Sequence, residues 1–239
     1  MIYGAESQTP RERRREANLG RIVSAATDLV VSGGFDALSM GRLAQALDYT
    51  PGALYRYFSS KDALISAMTT RVTREFAGVL RDAQERVPGE VPLQRVWSLL
   101  WAWRRLAEVE PQRFGMLSLL LADPRMLIQE EAAVGEAMGA LGDALAPLIQ
   151  SLEACATAGD LTAGNATHRA VAVFAAVHGL MQFRKQALRD PALFDLDLLV
   201  RVSVRTHLVG WGADSGRLDS DFAAIAALGD PIARAKGMK

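Results

Sequence analysis

Two tyrosines and a lysine, Tyr55, Tyr57 and Lys61, have the types and the spacing to bind phosphate. Phenol and ammonium groups donate hydrogen bonds to phosphate oxygens, which fixes the register of a protein on nucleic acid without reading its sequence. Leu54 and Phe58 are four residues apart, so on a helix they share one face, which we expect to point into a core. The tyrosines then fall on other faces of the same helix, where they can meet a ligand.

Base reading needs side chains at the front of that helix. Thr50, Pro51, Gly52 and Ala53 are small and mostly apolar, which permits close approach and contact with thymine methyl groups. Arg56 is a candidate bidentate donor to guanine or a further phosphate contact. Arg42, on the preceding helix, can likewise contact a base or a phosphate. The predicted DNA-contacting set is Ser39, Arg42, Thr50, Pro51, Gly52, Ala53, Tyr55, Arg56, Tyr57 and Lys61.

Local signals define the elements that must position these residues. Ser39 is a suitable N-cap for a short helix, and Thr50 followed by Pro51 restarts a second helix after a tight turn. Ser60 is placed to cap a long fourth helix. An earlier helix carries an apolar stripe from Leu19 to Val30 and stops at the pair Gly33 and Gly34. The spacing of the two short helices is typical of a helix-turn-helix, whose second helix enters the major groove with its N-terminus first.

The residues from Leu54 to Lys61 read Leu-Tyr-x-Tyr-Phe-x-x-Lys, and Gly34-Phe35-Asp36 lies upstream. This combination resembles the DNA-binding domain of the TetR family of regulators, from about Leu19 to Met68. The remainder of the chain resembles the family only in length and helical pattern. The resemblance implies DNA contacts at positions 50 to 57 and at Lys61, a ligand cavity in the C-terminal domain, and a four-helix bundle between two copies made from the last two long helices, 164–188 and 196–209.

Helical spacing recurs along the chain without an alternating apolar pattern, so the predicted fold class is all-α. We expect an N-terminal three-helix helix-turn-helix domain, joined by a long helix to a larger helical ligand-binding and dimerisation domain. The predicted divisions are a flexible basic arm (1–18), the DNA-binding domain (19–70), the ligand-binding domain (71–211) and a C-terminal tail (212–239). Four arginines of the arm can reach DNA or remain in a solvated tail with their glutamate neighbours: Arg11, Arg13, Arg14 and Arg15.

Composition restricts the class of protein. Lys+Arg and Asp+Glu number 27 each, so attraction to DNA must come from a local surface rather than from net charge. The single cysteine, Cys155, cannot form an internal disulfide and reads as a small buried hydrophobe. The stretch 170–183 is the longest strongly apolar run that we identify, and it is shorter than the ~20 residues of a membrane span. These features predict a cytoplasmic protein that does not enter a membrane.

The C-terminal half is rich in large apolar side chains that line either a ligand cavity or an ordinary core. His178 is distinctive because it lies in an uncharged run, where an imidazole needs a hydrogen-bond partner. His168 and His207 add no metal-ligand spacing, and no nucleophile motif or phosphate-binding glycine loop is present, so we predict no metal, no cofactor and no enzymatic activity. The candidate effector-binding residues are Trp97, Trp101, Phe114, Leu117, Phe174, His178 and Met181.

These observations predict a ligand-responsive transcriptional regulator that acts on double-stranded DNA. A homodimer would read two half-sites of a palindromic operator, about 34 Å or a multiple of it apart. Repression that is released by a small, largely apolar effector is the preferred mechanism, with the long fourth helix as the lever. The alternatives are a DNA-binding activator, a helical protein-interaction module that does not bind DNA, and an enzyme on a helical scaffold.

Overall fold

The computed structural model describes residues 9–232, and all regular structure in this range is helical, which confirms the all-α prediction. Apart from a 3₁₀ turn at Met181–Phe183, the elements of this range are α-helices. In chain order they are α1 (Pro10–Ala37), α2 (Met40–Ala46), α3 (Pro51–Tyr55), α4 (Lys61–Glu85), α5 (Pro92–Val109), α6 (Pro111–Ala122), α7 (Glu131–Thr157), α8 (Ala166–Leu180), α9 (Arg184–Ala187), α10 (Leu196–Gly210) and α11 (Ser215–Ala227).

The described residues divide into two compact units. The first unit contains the described residues up to Arg71 together with Gly115–Ala137, and the second contains Val72–Phe114 and the described residues from Met138 onward. Helices α4, α6 and α7 therefore contribute residues to both units. The domain division predicted from the sequence, at residue 71, did not anticipate that 115–137 belongs with the N-terminal residues.

Helix α1 begins nine residues before the position expected from its apolar stripe. Thr9 Oγ1 accepts a hydrogen bond from the backbone N–H of Glu12 at 3.3 Å, and Glu12 Oε2 accepts one from the backbone N–H of Thr9 at 2.7 Å. This reciprocal capping box satisfies backbone donors that a helix start otherwise leaves open. Residues 10–18 of the predicted flexible arm are therefore helical, which corrects that prediction, and residues 1–8 lie outside the described range.

The end of α1 and the two following helices agree with the local signals. Gly34 has φ 72° and interrupts the helix, a conformation that favours glycine, and Phe35 after it is buried. Helix α2 packs against both α1 and α3. The interior of the first unit is apolar and includes Ile22, Ala26, Val30, Leu43, Leu54, Leu64 and Met68, all essentially inaccessible to solvent.

The second unit is built on α5, α8, α10 and α11. Helix α8 packs against α10 and α5, and α11 packs against α5 and α10. Leu218, Phe222 and Ile225 of α11 are buried. The described part of the predicted C-terminal tail, 212–232, thus contains a helix of the second unit. The spacing of these apolar residues predicts a helix but does not show what covers it.

Two other helices contain local irregularities. Helix α7 starts at Glu131 and continues through Pro147, which removes one backbone donor without ending the helix. The helix expected over 164–188 is interrupted by the 3₁₀ turn between α8 and α9. Cys155 on α7 is fully buried, and desolvation is the main reason that the pKa of its thiol is raised to about 12.

Helix α7 also changes the assessment of long apolar segments. By length and composition it is the one helix among residues 9–232 that would be able to cross a membrane, and 28% of its most apolar window is buried. The sequence analysis identified 170–183 as the longest apolar run. The apolar segment in α7 is longer, so that identification was wrong. A single helix of this kind is weak evidence for a membrane segment, because helices of soluble proteins meet the same criterion.

Candidate functional site

Helix α3 is held in place by buried apolar side chains, and Thr50 caps its N-terminus. Thr50 Oγ1 accepts a hydrogen bond from the backbone N–H of Ala53 at 3.3 Å, and Pro51 occupies the first helical position. Leu54 is fully buried and Phe58 is 6% exposed, so the face that was expected to point into the core does so. Because this short helix is fixed by those two side chains, its other faces remain open to solvent.

The residues predicted to read bases lie on that open surface. Thr50, Pro51 and Gly52 are exposed and Ala53 is half-buried. A Cβ atom placed on Gly52 would meet no atom within 4 Å. The packing of the protein therefore does not require glycine at this position, whereas close approach of a partner surface would.

Tyr55 and Tyr57 differ in how the protein holds them. Tyr55 is 52% exposed, whereas Tyr57 is half-buried and its hydroxyl oxygen accepts a hydrogen bond from Asn18 Nδ2 at 3.1 Å. The phenol O–H of Tyr57 can still donate to a phosphate oxygen. Sequence reasoning missed Asn18, because a side chain 39 residues away on another helix leaves no local signal.

Helix α2 brings two further members of the predicted set to the surface. Ser39 Oγ caps the helix by accepting from the backbone N–H of Arg42 at 3.2 Å, which explains this serine without invoking DNA. The side chain of Arg42 is exposed, and its guanidinium makes one long hydrogen bond, 3.5 Å, to the Ala37 carbonyl oxygen. Arg56 at the end of α3 is also exposed. Both guanidinium groups are therefore accessible to a ligand.

Lys61, at the first position of α4, is exposed, and its Nζ lies 3.4 Å from the Phe35 carbonyl oxygen. Its neighbour Asp62 accepts hydrogen bonds with Oδ2 from the backbone N–H groups of Gln129 at 2.7 Å and Glu130 at 3.1 Å. The Asp62 carboxylate weakens the attraction of this helix start for anions. A phosphate bound here would therefore depend on the Lys61 ammonium itself.

The residues predicted to bind an effector do not form one site. Phe114, Phe174 and His178 meet around Trp103 in the second unit, and we call these four residues the aromatic cluster. The ring centroids of Phe114 and His178 are 4.9 Å apart in a stacked arrangement, and those of Trp103 and Phe174 are also 4.9 Å apart. Trp103 was not in the predicted set. The cluster forms because α5, α6 and α8 each supply a ring.

The imidazole of His178 is neutral at ordinary pH. Burial, together with the nearby positive charge of Arg184, lowers the pKa of this group to about 4. The Arg184 guanidinium lies 4.9 Å from the centroid of the Phe114 ring and also donates to the carbonyl oxygen of Ala107. The cluster is therefore apolar with one cation at its edge.

The other predicted effector residues lie elsewhere. Trp97 and Trp101 contact Phe222 of α11, at ring-centroid distances of 4.9 Å and 5.4 Å. Met181 is fully buried in the 3₁₀ turn, and Leu117 is a buried residue of the first unit. Among residues 9–232 we find no group of three or more His, Cys, Asp or Glu side chains that could hold a metal ion.

The buried anchors and exposed polar face of α2 and α3 define a helix-turn-helix protein of the DNA-binding type. Residues 22–68 match the family model described as bacterial regulatory proteins, tetR family. The N-terminal region of the chain therefore resembles the TetR family, as its sequence predicted.

Curated relatives match over the N-terminal part of the chain. The HTH-type transcriptional repressor KstR of Rhodococcus jostii is 32% identical over 106 residues, which are 44% of this chain and 45% of that protein. KstR of Mycobacterium tuberculosis is 34% identical over 108 residues, 45% of this chain and 47% of that protein. The chain thus spans about half the length of the curated relatives it matches.

Solved structures resemble the chain over most of its length. The transcriptional regulator FadR of Bacillus subtilis, solved in complex with stearoyl-CoA, matches with a TM-score of 0.63 and 13% identity over 80% of this chain and 98% of that one. The TetR family regulator PfmR of Thermus thermophilus gives a TM-score of 0.56 and 19% identity over 77% and 94%. At these identities the likeness establishes the fold, including the larger helical domain after the helix-turn-helix.

Proposed function

We propose that this chain is a cytoplasmic ligand-responsive transcriptional repressor that binds a palindromic operator as a homodimer, with α3 in the major groove. The observation that carries the proposal is the division between buried and exposed residues in and next to α3: Leu54 and Phe58 are buried, while Thr50, Gly52 and Tyr55 are exposed. A helix that is anchored on one side and open on the other can enter a groove without unfolding. The match to a family of regulatory proteins and the named repressors among its relatives support the same function.

Exposed apolar side chains on α8 and α10 support the dimer. Val171 is 46% exposed, and Leu198, Val202 and Val209 lie on one stripe of α10 at steps of four and seven residues with at least 39% exposure each. Pairing these two helices with their symmetry mates would bury this surface in a four-helix bundle. A two-fold axis then presents two copies of α3 to one face of DNA.

The aromatic cluster is the candidate contact for the effector. Its rings and neutral imidazole favour a small, largely apolar molecule, and the stearoyl-CoA bound by FadR shows that a protein of this fold accepts a ligand with a long apolar chain. An effector that prefers a wider spacing of the two α3 helices than the operator fits lowers DNA affinity by the same coupling free energy that DNA exerts on it, ~1–3 kcal/mol. Helices α4, α6 and α7, which have residues in both units, are the segments able to transmit the change.

Selection of random duplexes by the purified full chain at low salt tests DNA binding. We expect enrichment of a palindrome whose half-site centres are about 10 base pairs, or a multiple of that, apart. The double variant Tyr55→Phe/Lys61→Ala should bind all duplexes more weakly and alike, with a salt dependence reduced by about one phosphate contact per subunit. Lys185→Ala removes the same charge from the second unit and should leave binding unchanged.

The outcomes separate the alternatives. Failure to enrich any palindrome would favour a protein-interaction module, and unchanged affinity of the double variant would contradict the phosphate contacts assigned to Tyr55 and Lys61. A transcription assay on the selected operator distinguishes a repressor from an activator, since only the first lowers transcript when bound. Turnover of a bound small molecule by the purified protein would revive the enzyme alternative.

A further inference from the structure

A groove in the second unit, which we call the outer groove, has the properties of a binding site. It is lined by other residues than those of the aromatic cluster. It has a volume of about 470 Å³ and runs between α5, α10 and α11. Trp97 and Phe222 form part of its wall, Ala223 and Ala226 give an apolar side, and Arg201 supplies a cation.

The aromatic wall is held in place by packing. Trp97 is 2% exposed, and its ring meets Phe222 edge to face. Among the described residues, the indole Nε1–H of Trp97 is buried and has no acceptor. A buried donor without an acceptor is costly, so the wall includes one unsatisfied polar group.

Arg201 is held by the aromatic rings and not by a carboxylate. Its guanidinium carbon lies 3.8 Å from the Phe222 ring centroid and 5.7 Å from that of Trp101. Within residues 9–232 no hydrogen bond or ion pair engages its side chain. Because a guanidinium stacked on a ring keeps its N–H groups in its own plane, the donors of Arg201 remain directed outward and available.

Two neighbouring arginines pair with carboxylates, and this distinguishes them from Arg201. Arg205 Nε lies 3.3 Å from Asp219 Oδ1, and Arg104 pairs with Glu108 at 2.8 Å and also with Asp197. The charged residues that line the outer groove are Arg201, Arg205 and Asp219, so the groove has an excess of one positive charge. This excess lies in a chain whose overall formal charge is zero.

We propose that the outer groove binds a small organic anion: an apolar body against Ala223 and Ala226 beside the rings of Trp97 and Phe222, and a carboxylate or phosphate on the guanidinium of Arg201. A planar oxyanion can accept two parallel N–H bonds from arginine, which fixes the orientation of the ligand as well as its charge. This binding needs neither DNA nor the aromatic cluster, so its test is independent of the proposed repressor function.

Calorimetric titration of the DNA-free full chain with 2-naphthoate and with 2-naphthyl phosphate tests the site and distinguishes the two head groups. At least one of the two should bind saturably, and 2-naphthol, which lacks the charge, should bind about tenfold more weakly or worse. Arg201→Gln should weaken the anion about tenfold, whereas Arg189→Gln, a matched loss of an exposed arginine, should not. Ala223→Phe, which fills the groove from an exposed position, should also abolish binding.

Circular dichroism and thermal unfolding show whether each variant folds, which is expected because positions 201 and 223 are exposed. The proposal is overturned if neither anion binds saturably, if 2-naphthol binds as tightly as 2-naphthoate, or if folded Arg201→Gln retains wild-type affinity. Retained binding in folded Ala223→Phe would place the anion outside the groove and would overturn it equally.

Discussion

Helix α3 and the aromatic cluster use their side chains in opposite ways. The residues that stabilise α3, Leu54 and the following Phe58, are buried, and the residues proposed to act on DNA, such as Tyr55, are exposed. In the aromatic cluster the same side chains that would meet an effector also hold the helices together, as the fully buried Phe114 does. A surface site can thus change its specificity at little cost in stability, whereas an interior site cannot.

The largest effect expected from this difference is on Phe114. Phe114→Ala would remove the ring that stacks on His178 and should lower the free energy of unfolding by about 3–5 kcal/mol. Tyr55→Ala, a matched aromatic truncation on an exposed position, should change it by about 0.5 kcal/mol or less and should weaken DNA binding. Urea unfolding of both variants measures this, and equal losses of stability would remove the contrast.

Measurement of stability as a function of pH sharpens the comparison, because of the two regions only the aromatic cluster contains a buried ionisable ring. Since the pKa of His178 in the folded protein is about 4, below the ordinary histidine value of 6.5, the folded state binds fewer protons between these values than the unfolded chain. This contribution to the free energy of unfolding is fully present above pH 6.5 and is lost as the pH falls towards 4, by at most about 3 kcal/mol. His178→Gln should flatten the profile measured by urea unfolding at each pH, and an unchanged slope would show that His178 is not its source.

The smallest effect on stability is expected at Gly52. A Cβ atom at this position meets nothing within the protein, so Gly52→Ala should leave the free energy of unfolding unchanged within about 0.5 kcal/mol or raise it through helix propensity. Affinity for the selected operator should nevertheless fall, because the methyl group would stand between α3 and the groove. Gly78→Ala is the matched control, since its Cβ is also free of neighbours and it lies in the second unit. Equal operator affinity of Gly52→Ala and the wild type would argue against close approach at α3.

Local interactions account for what the sequence predicted correctly. Ser39, Thr50 and Pro51 define the starts of α2 and α3 because a cap bonds to a backbone group only three residues away. The break at Gly34 follows from a backbone conformation that glycine tolerates. The apolar spacing of Leu54 and Phe58 fixed which face of α3 is buried, so the exposed set followed from the sequence as well.

Only the tertiary structure decided which distant residues meet. The hydrogen bonds that the backbone N–H groups of residues 129 and 130 donate to Asp62, and the contact of Phe222 with Trp97, involve residues far apart in the chain. Periodicity predicts that a helix has an apolar face but not which helix covers it, since that choice depends on the joint packing of all the helices. For this reason the sequence predicted which face of α3 is buried and which is exposed, whereas for the second unit it predicted helices without their contacts.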